Sequence, residues 1–404
     1  MKYFLRLFFF GGFLLILFLI IALSRGYRPN LQKKSLVPTG ILAISSNPKA
    51  AKVYVNGKLE GVTDINLSLE PGEYKIEIKK EGYTSWQKKI RLKGELVLTL
   101  EALLFPVNPS LSPLTNLGVK KAIPLDQTDK ILLYIEKNDL EKDGFYILDT
   151  AKKPINFFEP LKLILKKSLL NLESLNFNEI SFDFSPDFKE VILNLPNVSY
   201  LLSLEQENKA LFDVTTSKET LRDAWQKEKE KNNQKILETF KKDFVRIATD
   251  SFHIVSFSPD ETKILYQAKK NLTLPPFIKP PLPATNQTEE ARDLKKDYFY
   301  VYDKKEDKNY RIDLILKNQK IKSSLDQSEI EGFLMWYPDS KRLVLNEDNK
   351  IYVFDYDGEN KQVLYSGPYQ KDFFLVSSSG NLILLINLNP ENNELPDIYQ
   401  VGLK

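Results

Sequence analysis

The chain has no cysteine among its 404 residues and a single histidine, His253. The absence of cysteine excludes disulfides, thiol nucleophiles and thiolate metal sites, and it leaves the redox compartment open. One histidine is too few for a zinc or other soft-metal site, which needs several nitrogen or sulfur ligands. Glycine is also scarce, with 16 residues, and none belongs to a phosphate-binding loop. We therefore expect no cofactor, no metal site and no catalytic residues, and a protein that is not an enzyme.

A strong charge of either sign is also missing. The 57 basic and 54 acidic residues give a net charge of +3 and are spread evenly along the chain. Nucleic-acid-binding proteins usually concentrate basic residues on one stripe or patch, so we expect no nucleic-acid partner. His253 precedes the apolar segment Ile254–Phe257, which favours a structural strand histidine over a catalytic base.

One long apolar run stands near the N-terminus. Residues 7–23 contain no charged or strongly polar side chain. At about 1.5 Å per residue, the run can just cross a hydrocarbon core of about 30 Å. We predict that residues 1–28 contain an uncleaved, single-pass transmembrane anchor. The alternative is a cleaved signal peptide, because Ala22 and Ser24 are small residues at the spacing of a cleavage site.

The charges around this run give an orientation that conflicts with later features. Only Lys2 and Arg6 precede it, whereas more cations follow it, at Arg25, Arg28, Lys33 and Lys34. Positive-inside counting alone would leave the bulk of the chain in the cytoplasm.

A short linker, residues 29–39, leads to a segment of alternating strands over residues 40–104. Asn56-Gly57 suits the positive φ angles of a tight hairpin turn. Pro71-Gly72 predicts a type II turn in which Gly72 takes the left-handed position. After it, apolar Tyr74, Ile76 and Ile78 alternate with charged residues, the pattern of a half-buried strand. We predict a small β-sandwich.

The order of these motifs resembles the PEGA domain family. The resemblance lies in Ser46-Asn47-Pro48, residues 53–57, residues 69–74 with Pro-Gly-Glu-Tyr in place of the naming tetrapeptide, and Gly82-Tyr83. It implies a surface or envelope protein of the kind found in bacteria and archaea, and it carries over no catalytic residue. It also favours a cytoplasmic N-terminus with the bulk of the chain extracytoplasmic, against the charge count.

A short sequence motif recurs along the rest of the chain. Phe184–Asp187, Phe257–Asp260 and Trp336–Asp339 each combine an aromatic residue, a Pro-Asp turn and a following apolar pair. Pro suits the second position of a type I turn, and Asp can cap that turn through its side chain. We therefore interpret these residues as structural turns and not as a site: Ser185, Pro186, Asp187, Ser258, Pro259, Asp260, Pro338 and Asp339.

Aligning the chain on this turn reveals two degenerate copies, at Gln127 and Ser379. Ser379 follows Asp339 by 40 positions, which is the length of a propeller blade of about 40 to 45 residues. The pattern resembles the TolB-like and WD-repeat-like β-propellers of bacterial envelopes. We predict an all-β fold in which residues 105–404 form a propeller of five to seven blades. Residues 105–125 are the candidate strand that closes the last blade.

Two insertions interrupt the repeats. Residues 217–245 are highly charged and lack proline and glycine, which predicts a helix or a helical hairpin. Residues 271–293 contain a proline-rich stretch and predict an extended loop. We expect both to project from the propeller and not to build it.

These features lead to two functional hypotheses. The first is a membrane-anchored, extracytoplasmic binding or scaffolding protein whose propeller and insertions bind a protein or a cell-wall polymer. The alternative is a propeller hydrolase or lyase that acts on glycans with carboxylates of the central channel. Residues 355–360 resemble part of a calcium loop, but they lack its distal glutamate and stand where a hairpin turn is needed, so we favour the turn.

Overall fold

A computed structural model of the chain describes all residues except 1, 25, 31–34, 126–127, 138, 152–160, 173, 314–332, 389, 392–393 and 404. It begins with helix α1 (Lys2–Ser24), followed by the hairpin β1 (Tyr27–Asn30) and β2 (Ser35–Pro38). Large apolar side chains of α1 from Phe8 to Leu23 are exposed. Within the described ranges, no helix has the length and hydropathy of a membrane span. The transmembrane anchor therefore stays a prediction.

The next seven strands form a sandwich of two sheets. These strands are β3 (Gly40–Asn47), β4 (Lys52–Val55), β5 (Lys58–Val62), β6 (Ile65–Leu69), β7 (Gly72–Lys79), β8 (Trp86–Leu92) and β9 (Val97–Leu103). One sheet has the order β6-β3-β9 and the other the order β5-β4-β7-β8, with β3 and β9 parallel. Alternate residues such as Leu42, Ile44, Ile76 and Ile78 fill the space between the sheets.

The two turns predicted for the sandwich have different outcomes. Asn56 and Gly57 both have positive φ, 50° and 81°, so the predicted tight hairpin turn is confirmed. Pro71 lies in a bend, but Gly72 does not adopt a positive φ, and the predicted type II turn is wrong. The reason is strand pairing: β7 already begins at Gly72, which lies opposite Leu92 of β8 and is held extended.

The remaining strands pair into a series of four-stranded antiparallel sheets. The described residues contain five of them, which we name blades A to E. Strand β10 (Ser110–Pro113) precedes blade A but pairs with the last strand of the chain, so blade E combines strands from both ends. This confirms residues 105–125 as the source of a closing strand. The number of blades in the complete chain stays a prediction, since residues 314–332 lie outside the description.

The blades follow one another along the chain. Blade A contains β11 (Lys121–Pro124), β12 (Lys130–Ile135), β13 (Gly144–Asp149) and β14 (Leu161–Lys166). Blade B contains β15 (Ser181–Phe184), β16 (Glu190–Asn194), β17 (Ser199–Ser203) and β18 (Phe212–Asp213). Blade C contains β19 (Phe252–Phe257), β20 (Lys263–Ala268), β23 (Phe299–Asp303) and β24 (Lys308–Ile312), interrupted by the short pair β21 (Leu272–Thr273) and β22 (Asp293–Leu294).

The last two blades complete the series. Blade D contains β25 (Leu334–Trp336), β26 (Arg342–Glu347), β27 (Lys350–Asp355) and β28 (Gln362–Tyr365). Blade E contains β29 (Phe374–Val376), β30 (Leu382–Ile386), β31 (Asp397–Gly402) and β10. A 3-10 turn, Lys167–Leu170, follows blade A.

Alternate residues on the central strands of blades A, D and E face different neighbouring blades. In β12, Leu132 packs toward blade B and Leu133 toward blade E. Blade C packs on blade D, and blade D packs on blade E. This arrangement, with blade E packed on blade A, is that of a β-propeller closed by its N-terminal strand.

The helical insertion is a hairpin, as predicted, but its second helix does not project. Its helices are α2 (Lys218–Leu237) and α3 (Lys242–Ser251). Phe244 of α3 is fully buried, and its ring stacks on Tyr302 of blade C with the centroids 4.0 Å apart. Helix α3, with Leu237 at the end of α2, covers the face of blade C opposite blade D. The expectation of projection was wrong for α3, because its apolar residues need a face to cover. It agrees with α2, in which Leu237 is the only buried residue.

The proline-rich insertion is also packed against the propeller. Leu274 is fully buried in the same cluster as α3, and Phe277 packs there too. Asp307 accepts hydrogen bonds from the backbone N–H groups of Phe277 and Ile278, at 2.6 and 2.8 Å. The segment is therefore a strap held to blade C at Leu274 and Phe277, whereas Pro275, Pro276 and residues 279–283 are exposed.

Candidate functional site

The predicted Ser-Pro-Asp motifs are blade turns with one shared geometry. Each connects the first two strands of a blade, and the backbone N–H of its fourth residue donates to the carbonyl of its first. In blade B this is Phe188 to Ser185, and in blade C it is Glu261 to Ser258. The fourth residue has a positive φ in the turns of blades B to E: 52° at Phe188, 56° at Glu261, 59° at Ser340 and 81° at Gly380. Pro186, Pro259 and Pro338 hold the second position of this turn.

The side chains of the motif behave as the turn interpretation requires. Ser185 donates to Asp187 at 2.8 Å, and Ser258 donates to Asp260 at 2.7 Å. In blade D, where Tyr337 replaces the serine, Asp339 instead accepts a bond of 2.5 Å from Arg342. Of the two degenerate copies, Ser379 lies in an equivalent turn, and Gln127 lies outside the described residues.

Several of these turns also bind one another. The Tyr337 hydroxyl of blade D donates to the Gly380 carbonyl of blade E at 2.9 Å. The Ser340 hydroxyl of blade D accepts from the backbone N–H of Asp260 in blade C, also at 2.9 Å. Ser378 of blade E donates to Asp129 of blade A. The turns thus connect neighbouring blades at one end of the propeller.

The sandwich docks on blade D at this same end. Lys88 of β8 forms an ion pair with Asp357 at 2.5 Å, and the two side chains are only 11% and 1% exposed. The indole N–H of Trp86 donates to Asp355 at 3.0 Å. Gln87 donates its backbone N–H to Asn360 at 2.9 Å. Residues 355–360, which resembled part of a calcium loop, are therefore the hairpin turn on which the sandwich is mounted.

Two carboxylates of this turn have opposite pKa shifts. Burial raises the pKa of Asp355, despite the nearby charge of Arg342. Burial also acts to raise the pKa of Asp357, but the charge and hydrogen bond of Lys88, with bonds from Asn286 and Thr288, hold its pKa below the usual value. Asp357 therefore stays ionised as the partner of Lys88.

The proline-rich strap reaches this junction. Its Asn286 and Thr288 side chains each donate to Asp357 at 2.7 Å. The backbone N–H of Asn286 also donates to Glu306 in blade C, at 2.9 Å. One buried carboxylate thus joins the sandwich, blade D and the strap. The sequence did not predict this role for Lys88, Asn286 or Thr288, because it depends on contacts between distant segments.

A cleft of about 450 Å³, lined by both polar and apolar groups, lies between the sandwich and the propeller turns. The sandwich lines it with residues from the ends of β3 and β9, and the propeller lines it with the turns of blades D and E. Glu101 pairs with Lys341 across the cleft, and Arg342 donates to the Glu101 carbonyl at 3.0 Å. The lining residues used below are Ser45, Glu101, Asp339, Lys341, Arg342 and Ser378.

The structure places only one group of the predicted turn residues in the cleft. Pro338 and Asp339 line it, whereas Ser185, Pro186, Asp187, Ser258, Pro259 and Asp260 do not. His253 lies on β19, and its Nε2 atom is buried without a hydrogen-bond partner among the described residues. In the same part of the chain, no group of three or more His, Cys, Asp or Glu side chains could hold a metal.

Comparison with protein families matches residues 39–107 to the PEGA domain. These residues cover the sandwich, so the chain carries a PEGA domain joined to a β-propeller. A search of curated proteins finds no match.

Solved structures that resemble the chain include a putative TolB from Agrobacterium tumefaciens, with 12% identity over 64% of this chain and 66% of that one, and a TM-score of 0.20. A Bacteroides thetaiotaomicron protein of unknown function has 11% identity over 89% of this chain and 82% of that one, with the same TM-score. The tricorn protease has 11% identity over 78% of this chain and 25% of that one, again with a TM-score of 0.20. At these scores the neighbours carry no weight for function, and the propeller assignment rests on strand pairing.

Proposed function

We propose that the chain is a membrane-anchored, extracytoplasmic binding or scaffolding protein of the cell envelope. The observation that carries this proposal is the cleft of about 450 Å³ between the PEGA domain and the turns of blades D and E. Clefts of several hundred Å³ at domain boundaries are common binding sites. The ligand would be a segment of a protein or of a cell-wall polymer.

The cleft suits a ligand that forms hydrogen bonds. Its walls carry hydroxyl groups, as on Ser45 and Ser378, and charges of both signs, as on Glu101 and Lys341. Its two walls are also held in place, because the buried pair of Lys88 and Asp357 joins the domains next to it. A fixed cleft binds with little loss of conformational entropy, which favours recognition.

The membrane anchor is supported by the sequence of α1. Residues 7–23 are uncharged, and the large apolar side chains of this helix that can be described are exposed. An exposed apolar surface of this extent calls for a lipid or protein environment. The extracytoplasmic placement is supported by the PEGA domain and opposed by the charge count around α1.

The glycan hydrolase remains the alternative hypothesis. It requires two facing carboxylates that are free to act as acid and base or nucleophile. In the cleft, Glu101 pairs with Lys341, and Asp339 pairs with Arg342. In the cleft, these ion pairs favour the binding of a ligand over acid–base chemistry. They do not concern the carboxylates of the central channel.

Site-specific photo-crosslinking tests the cleft. A photoreactive amino acid replaces Ser45 in the full chain, and the control replaces Ile41, four residues earlier on the same face of β3. After irradiation of native membranes, we expect an adduct from position 45 that is absent from position 41. The adduct should decrease when Glu101→Ala and Lys341→Ala are added. Equal adducts at both positions, or none at position 45, would exclude the cleft as the binding site.

A further inference from the structure

The PEGA domain presents a second charged surface, away from the cleft. Ile76 and Ile78 of β7 point into the core of the sandwich, so the alternate residues of this strand lie on the outer face of its sheet. The strand register places partners from β4 and β8 on the same face, with Lys52 opposite Lys79 and Lys75 opposite Lys89. We call this surface the basic face and define it by five cations: Lys52, Lys75, Lys79, Lys89 and Arg91.

The basic face holds an excess of positive charge. Its five cations stand beside two carboxylates, Glu73 and Glu77. The resulting net charge of +3 on one sheet face equals the net charge of the whole chain. The rest of the chain is therefore neutral on balance, whereas this face is electropositive.

The arrangement of these cations is unfavourable in the protein alone. Lysines directly opposite each other on neighbouring strands repel, and two such pairs occur here. Glu77 neutralises part of the charge by pairing with Lys75 at 2.7 Å and Lys79 at 2.5 Å. Lys52 and Lys89 form no ion pair within the described part of the chain. A bound polyanion would relieve this repulsion.

The geometry favours a linear ligand over a single ion. The cations follow the direction of β7 and β8, and neighbouring positions on one face of a strand, such as Lys89 and Arg91, are about 6.6 Å apart. From Glu73 to Lys79 the face is about 20 Å long, which exceeds the screening length of about 8 Å in physiological salt. One small anion therefore interacts with only part of the face, whereas a chain of anionic groups along the strands interacts with all of it.

We propose that the basic face binds a linear, phosphate-bearing polymer. The binding is electrostatic, so it should be broad in sequence or repeat specificity and should weaken as salt is added. The surface is separate from the cleft, so this proposal does not depend on the function proposed for the cleft.

The test uses the full chain in micelles of a neutral detergent, with medium-chain inorganic polyphosphate as the probe and fluorescence anisotropy as the readout. The face variant combines Lys52→Gln, Lys75→Gln, Lys89→Gln and Arg91→Gln. The matched control removes the same charge from exposed positions of α2, with Lys227→Gln, Lys229→Gln, Lys231→Gln and Lys235→Gln. Thermal unfolding of both variants checks that they fold.

We expect the unmodified chain to bind polyphosphate and the face variant to bind at least roughly tenfold more weakly at about 50 mM salt. The control should bind within about twofold of the unmodified chain, because α2 mixes charges of both signs. An equal loss in the control, or no binding at all, would overturn the proposal. Competition by monomeric phosphate as strong as that by polyphosphate, at the same concentration of phosphate groups, would also overturn it. So would a chain that binds anionic vesicles through this face, with binding lost in the face variant, but does not bind polyphosphate.

Discussion

Blades B and D use the same turn in different surroundings. In blade B, Asp187 is 53% exposed, and its bonds to described residues all lie within its own turn, to Ser185 and Lys189. In blade D, the turn from Tyr337 to Arg342 contacts blades C and E, lines the cleft and bonds to the PEGA domain through Arg342. The motif therefore determines a local conformation, and the neighbouring segments determine what that turn does.

The PEGA junction explains why blade D differs. It buries Lys88 and Asp357 against each other, so that removal of one partner leaves a buried charge without its counter-ion. Blade B has no comparable contact among the residues that the structure describes. The junction is thus the part of the molecule in which single substitutions should have the largest effects.

Replacement of Lys88 should therefore have the largest effect. We expect Lys88→Met to lower the free energy of unfolding by about 3–5 kcal/mol, because Asp357 then stays buried without its cation. Urea unfolding followed by tryptophan fluorescence measures the change, and Trp86 lies in the junction. The control is Lys89→Met on the exposed face of the same strand, with an expected change below about 0.5 kcal/mol. Similar losses in both variants would show that the pair does not hold the junction.

The same substitution in the turns of blades B and C should give a smaller, graded effect. Asp260 accepts hydrogen bonds from Ser258 and from both the hydroxyl and the backbone N–H of Thr262. We expect Asp260→Asn to destabilise the chain by about 1–2 kcal/mol, and Asp187→Asn by about 0.5 kcal/mol because that side chain is more exposed. The measurement is again urea unfolding at neutral pH. A larger loss at Asp187 than at Asp260 would contradict the comparison.

The pH dependence gives a second check on Asp260. Burial acts to raise the pKa of Asp260, but the hydrogen bonds from Ser258 and Thr262 and the charge of Lys263 hold its pKa well below the usual value. A carboxyl with a lowered pKa contributes stability above its unfolded pKa of about 3.9, and this contribution is lost as the pH falls below that value. Between about pH 5 and pH 2, the free energy of unfolding of the Asp260→Asn variant should therefore fall less than that of the unmodified chain.

Much of the fold could be predicted from local sequence. The Ser-Pro-Asp turns, the Asn56-Gly57 hairpin and the closing strand from residues 105–125 each depend on a few adjacent residues or on the repeat. Gly72 could not be placed correctly, because pairing with Leu92 holds it extended although Pro-Gly favours a turn. The alternation of residues along β7 similarly indicated which face is exposed, but the excess charge of that face requires the strand register.

The candidate site was largely beyond sequence reasoning. Lys88 and Asp357 are 269 positions apart, and nothing in either local sequence indicates the other. The helical and proline-rich insertions have the composition of exposed segments, but Phe244 and Phe277 pack onto Tyr302 of blade C. In each case the outcome depends on how distant surfaces meet, which a local pattern does not contain.

The buried pair of Lys88 and Asp357 predicts that the PEGA domain and the propeller move as one rigid unit around the cleft. Pulsed electron paramagnetic resonance tests it directly, since the chain has no native cysteine and accepts two spin labels cleanly. Labels at Lys58→Cys in the PEGA domain and Lys189→Cys in blade B replace exposed side chains. We predict a single narrow distance distribution that broadens when Lys88→Met is added. A broad or multimodal distribution in the otherwise unmodified chain would show that the two domains move independently.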